Sequence, residues 1–189
     1  MIEQLIFPVG VRDHVRGHDD SPITLVEYAD FACPYCAHAY PIVRRLLLSH
    51  SGTLRFVFRH NPRGELHEGA HLGALAAEAA GFQAQFWPMH DLLFQRQDRI
   101  CERTVVSYAR SLGLDVDQFQ VDLHSRAVVA RVREDQIGGL RSGVIGTPAF
   151  FLNAQHFRDK PDFDGLSRAI EAKARTVALG LTLASALGA

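Results

Sequence analysis

Two cysteines separated by two residues, Cys33 and Cys36, carry the plainest chemistry in this sequence. If they open a helix, the unpaired backbone N–H groups and the positive end of the helix dipole favour a thiolate at Cys33. That thiolate attacks a disulfide. Cys36, one turn on and on the same face, then attacks the mixed disulfide and releases the partner. Pro34 suits such an opening, since its missing N–H would have no partner there. A structural zinc is the rival reading, but it needs two further ligands at matching spacing. The remaining cysteine is Cys101, with His38 nearby. Cys101 itself reads as a buried small hydrophobe, with a third redox thiol as the alternative.

A second motif competes for attention. His67-Glu-Gly-Ala-His71 is a literal H-E-x-x-H, which on a helix would aim two imidazoles at zinc with Glu68 as general base. Gly69 weakens the helix there, Ala74 and Ala77 stand where a longer zinc motif wants Gly and His, and no downstream acid is identifiable. The short pattern reads as chance. His14, His18, His50 and His60 fall in or near expected loops and read as ordinary surface imidazoles. The aromatic group Phe82, Phe86, Trp87 and Phe94 recurs at helical spacing and reads as core rather than as a binding platform.

The elements that must position the cysteines follow from the pattern around them. Residues 23–28, Ile-Thr-Leu-Val-Glu-Tyr, predict a buried strand, and the chain from Cys33 to Leu48 has apolar residues at helical spacing, with Pro41 inside expected to kink it. Residues 54–59 predict a second strand, so the unit is β-α-β with a right-handed parallel pairing. Helices are expected from 66 to about 97 and from 104 to about 136. Gly146-Thr-Pro-Ala-Phe-Phe-Leu-Asn153 predicts a turn running into a strand, and a last helix runs from Asp164, its expected N-cap, to about Leu179.

Composition sets the frame. At 189 residues and 47% apolar content the chain can bury a core as one domain, without stapling disulfides or structural metal. Its 20 Lys and Arg against 21 Asp and Glu leave no basic footprint for nucleic acid. The first twenty residues lack a cationic stretch and have their apolar run broken by Pro8 and Gly10, so no leader is expected and the cytoplasm is the expected compartment, with the periplasm as the alternative if a leader was trimmed. The apolar tail from 176 to 189 is too short to span a bilayer and is expected to pack on the body or fray.

Three segments, Leu25-Val-Glu-Tyr-Ala-Asp-Phe-Ala-Cys-Pro-Tyr-Cys36, Phe86-Trp-Pro-Met-His-Asp-Leu-Leu-Phe94 and Gly143-Val-Ile-Gly-Thr-Pro-Ala-Phe-Phe151, span nearly the whole chain. Together they resemble the DsbA-like branch of the thioredoxin superfamily. The resemblance implies an α/β thioredoxin fold with a helical insertion at about 64–140. It implies that Pro148 is the cis-proline facing the cysteines, with the Thr147 backbone offering hydrogen bonds to an extended substrate. Pro34 and Tyr35 would border the same substrate site. From the residues alone Pro148 could equally be a trans proline opening an edge strand. Glu27 matches the family's buried acid, which would relay protons to and from Cys36, and Arg55 or Arg59 could be its partner. Its alternative is a strand-edge Glu facing water.

Tyr35 stands where oxidising members carry His, so Cys-Pro-Tyr-Cys looks instead like glutaredoxin. The reading is therefore dithiol-disulfide exchange on protein or peptide thiols and disulfides, with a thiol electron donor or acceptor and with reductive work expected in a reducing cytoplasm. No metal or organic cofactor is implied, nor any membrane insertion. A redox-sensing or partner-binding module on the same fold is the alternative.

Overall fold

The computed structural model describes residues 4–96 and 99–187, with side chains through residue 180. The elements are β1 (His14–Arg16), β2 (Ile23–Ala29), α1 (Pro34–Ser49), β3 (Leu54–His60), α2 (Ala70–Gly81), α3 (Phe86–Gln95), α4 (Glu102–Ser111), α5 (Val116–Leu123), α6 (Arg126–Arg141), β4 (Ala149–Leu152), β5 (Gln155–Phe157) and α7 (Phe163–Leu187). One mixed sheet of order β1-β3-β2-β4-β5 organises them. The central β2 pairs parallel with β3 across α1, as the β-α-β pattern predicts, and antiparallel with β4. This is a thioredoxin-type sheet with α2 to α6 standing between β3 and β4.

Alternation along the strands divides the core in two. Ile23, Leu25, Leu54, Phe56, Phe58, Phe150 and Leu152 join α1, α7 and the inserted helices in the larger cluster. Val26, Tyr28, Val57 and Phe151 form the smaller one with Leu5 and Val144. On that second face α6 approaches closely because Gly138 and Gly139 carry no side chain. A Cβ on either would come within 3.0 to 3.1 Å of the Tyr28 ring or its hydroxyl.

Several expectations change. The stretch expected to be helical from 66 becomes a turn and then α2, because Gly69 takes φ 81 at the N-cap and the helix begins at Ala70. The expected end near Gln97 lies outside the described residues. Phe82, grouped with the core aromatics, is 56% exposed at the end of α2, whereas Phe86 and Phe94 are buried. The last helix is capped by Asp162, whose Oδ1 accepts from the Gly165 N–H at 2.8 Å, rather than by Asp164. That helix runs to Leu187, and the packing expected for its tail from residue 181 lies outside the described side chains. Among the described residues, no helix is long and apolar enough to cross a membrane.

Candidate active site

Strand β2 delivers the chain to the cysteines through Asp30, whose carbonyl accepts from the Cys33 N–H at 3.1 Å. Cys33 is the N-cap of α1, extended at φ −80 and ψ 122, and Pro34 occupies the first turn as expected. Both thiols are covered and no disulfide joins them, Cys33 at 2% exposure and Cys36 at 0%. Pro34 and Tyr35 face outward, Tyr35 at 73%.

The two sulfurs differ sharply in acidity. The hydrogen bond from the Cys36 thiol, then those from Thr147 and from the Cys36 and Tyr35 backbone, pull the Cys33 thiol down to about 5 against burial. Burial, the bond to Cys33 and the charge of Glu27 push Cys36 far above the ordinary thiol value, although the Asp30 N–H donates to its sulfur at 3.5 Å. The first sulfur of the pair is thus the acidic one, and the second holds its proton.

Glu27 sits on the cysteine side of the sheet, opposite Phe58 of β3 and Phe150 of β4. Burial and the nearby Cys33 charge raise its carboxyl to about 8, and its Oε1 has no hydrogen-bond partner among the described residues. Neither expected cation serves it, because Arg55 and Arg59 alternate onto the other face. Arg55 Nε donates to Thr24 Oγ1 at 2.8 Å, and Arg59 is held by Asp13, the Tyr28 hydroxyl and the Phe7 and Pro8 carbonyls. The strand-edge alternative fails too, since Glu27 is 3% exposed.

The Thr147–Pro148 peptide bond is cis, and it enters β4 where Ala149 pairs with Tyr28 of β2. That register sets the loop beside the cysteines, with the Cys33 sulfur 3.5 Å from the Thr147 carbonyl oxygen. A cleft of about 380 Å³ opens next to it, lined by Ile145, Thr147, Pro148 and Phe157 among others, and Ile145 is 92% exposed at its rim. A larger cleft of about 490 Å³ lies beside Tyr28 and Arg59, on the sheet face away from the cysteines.

Other residues make contacts that their spacing did not predict. Cys101 is the partly exposed N-cap of α4 rather than a buried hydrophobe, and Thr104 donates to its sulfur at 3.5 Å. The H-E-x-x-H residues do not share a helix: His67 precedes α2 and lies 2.6 Å from Asp30 Oδ2, while Glu68 pairs with Arg99 at the surface. His14 and His60, read as surface imidazoles, both place Nε2 at 2.8 Å from Glu78 Oε1, His60 with no exposure at all. Despite burial, those hydrogen bonds hold the Glu78 carboxyl well below the usual range. The ligand atoms of this trio lie within 4.8 Å of one another, so among the described residues it is the set that could gather a metal ion. The fit is poor. A ligating imidazole has its second nitrogen oriented by a partner, and His60 Nδ1 is buried without one. Even alternation along β3 after Phe56 and Phe58 signals that His60 points inward.

The sequence model of the thioredoxin family matches residues 10–172. The chain belongs to the thioredoxin family. A thioredoxin-like oxidoreductase from Silicibacter pomeroyi is similar at 29% identity and TM-score 0.79, over 88% of this chain and 94% of that one. Wolbachia pipientis alpha-DsbA1 shares the fold at TM-score 0.80 and 17% identity, over 94% of this chain and 98% of its own. Among curated proteins, the Na(+)/H(+) antiporter NhaA 3 of Salinispora tropica is 43% identical over 170 residues, 89% of this chain and 26% of that protein. The NhaA antiporter of Herminiimonas arsenicoxydans is 40% identical over 163 residues, again 26% of its length. The chain thus spans about a quarter of the curated relatives it matches.

Proposed function

We propose that this chain exchanges disulfides with protein or peptide partners through Cys33 and Cys36. The observation that carries the proposal is the split acidity of a helix-opening pair whose first sulfur lies 3.5 Å from the Thr147 carbonyl beside the cis Thr147–Pro148 bond. In the reducing direction, Cys33 thiolate attacks one sulfur of a substrate disulfide, the substrate S–S bond breaks and the other sulfur leaves as thiolate. Backbone groups at Thr147 and the 380 Å³ cleft align an extended segment for that attack. Once Cys33 is held in the mixed disulfide its negative charge is gone, and with it one of the two causes that raise Glu27. Glu27 carboxylate then takes the Cys36 proton, Cys36 attacks Cys33, and the second substrate thiolate departs. Oxidation of a substrate dithiol is the same path reversed.

The stabilised Cys33 thiolate favours the dithiol form and moves the pair toward accepting electrons, against the reductive work expected from Tyr35 and a reducing cytoplasm. Cytoplasmic placement is part of the proposal, with the periplasm as its rival, and cell fractionation tests it. A second reading, a redox-sensing module acting on a partner, is favoured by the antiporter names of relatives in which a segment like this chain makes up about a quarter. Thiol-dependent insulin reduction decides between them. Exchange requires acceleration that Cys33→Ser abolishes; no acceleration, or full rate in Cys33→Ser, overturns it and leaves the sensor.

A further inference from the structure

The first histidine of the H-E-x-x-H segment, idle as a metal ligand, reaches the active site through Asp30. This acid, 1% exposed, lies between the end of β2 and the cysteines. Its Oδ1 accepts from the Ala32 N–H at 2.9 Å, shaping the turn into α1, and its own N–H donates to the Cys36 sulfur at 3.5 Å. Oδ2 faces the other way. It accepts from the Arg63 N–H at 3.0 Å and lies 2.6 Å from His67 Nδ1, both in the loop after β3. From that loop the Arg63 Nη1 donates to the Ile145 carbonyl at 2.7 Å, two residues before Thr147.

We infer that Asp30, His67 and Arg63 form a clamp that seats the Thr147–Pro148 loop on the cysteine pair, which makes them positioning residues for disulfide exchange. The chain of contacts is continuous, from the helix that carries both thiols to the loop that faces them. A buried carboxylate with three donors around it is a fixed point. Arg63 is a charged reach from that point to an otherwise exposed loop. Because Thr147 is one of the groups that lower Cys33, displacing the loop alters both the thiolate and the docking of substrate. The inference rests on the exchange reading for its kinetic consequence alone.

The test uses the full chain as wild type, Arg63→Ala, Arg63→Lys, Asp30→Asn and His67→Ala, with Arg99→Ala as a control, since Arg99 meets Glu68 where both are exposed. Thiolate absorbance of the reduced protein gives the Cys33 titration, and a mixed-disulfide peptide gives KM and kcat separately. In Arg63→Ala the Cys33 midpoint climbs from about 5 toward the ordinary 9.0. KM rises about tenfold, the loss of one charge-assisted hydrogen bond, with kcat changing less. Arg63→Lys restores a donor and recovers part of both. Should Arg63→Ala titrate and bind like Arg99→Ala, the clamp is wrong, and that comparison stands even if Asp30→Asn fails to fold. If wild type shows no exchange, the function falls while the Cys33 titration still judges the clamp.

Discussion

Glu27 is a carboxyl sealed against the cysteines with an Oε1 that meets no donor, so its energetic effect depends on pH. The folded state holds that proton more tightly than the unfolded chain does. Its contribution to stability is therefore greatest below the ordinary 4.5 and is lost as pH rises toward about 8. Glu27→Gln is expected to stabilise the reduced protein at pH 8 by on the order of a few kcal/mol, with little change at pH 4, read by denaturant titration at both values. The same variant should slow resolution about a hundredfold and accumulate the mixed disulfide, visible in rapid acid-quench mass spectrometry. In that background the thiols alone titrate near the pair, so the reduction potential should fall by about 30 mV per pH unit above pH 5, where one proton accompanies two electrons, and by about 59 mV below it. A uniform steeper slope through neutrality would mean that Cys33 is not a thiolate. The identity of Glu27 was legible because an acid inside an apolar strand is conspicuous; its lack of a cation was not. That depended on the parallel register, which sets Glu27 against Phe58 and turns Arg55 and Arg59 to the other face.

At the scale of elements, the long periodic pieces were readable: β2, α1 and β3 lie within a residue or two of the pattern that predicted them. β1 and β5 were missed because each is three residues long, too short for alternation to register, and each exists by pairing with a longer neighbour. The helical region hid its true start because propensity says nothing of the φ 81 at Gly69. That glycine is also packed: a Cβ would stand 2.5 Å from the Ile100 carbonyl oxygen. Gly69→Ala combines left-handed strain with a backbone clash and is expected to cost about 2 kcal/mol or more, lowering the denaturation midpoint without changing the Cys33 titration. The Asp30 clamp was invisible for a related reason, since it joins residues 30, 63, 67 and 145, which no sequence spacing connects.

At the scale of the whole molecule, the oxidation state of one pair is coupled to global stability. The unfolded reduced chain keeps Cys33 near the ordinary 9.0 while the fold holds it near 5, so at pH 7 folding of the dithiol form gains on the order of 2 to 3 kcal/mol. This contribution is present above pH 9, shrinks as pH falls and is gone below about 5. In the Glu27→Gln background, where no carboxyl titrates beside the pair, the melting temperature of the reduced protein relative to the oxidised one is therefore expected to fall from pH 7 to pH 4; a difference that does not change with pH would contradict the thiolate assignment. The near-complete covering of Cys33 has a further consequence, for damage. A nucleophilic sulfur in open water is carried by peroxide through sulfenic to sulfinic acid, a step most cells cannot reverse. Here any sulfenic acid formed at Cys33 meets the Cys36 thiol first, and their condensation to a disulfide with loss of water returns the chain to the disulfide state of the proposed exchange. Oxidative insult leaves a usable product, and the buried second thiol is the safeguard.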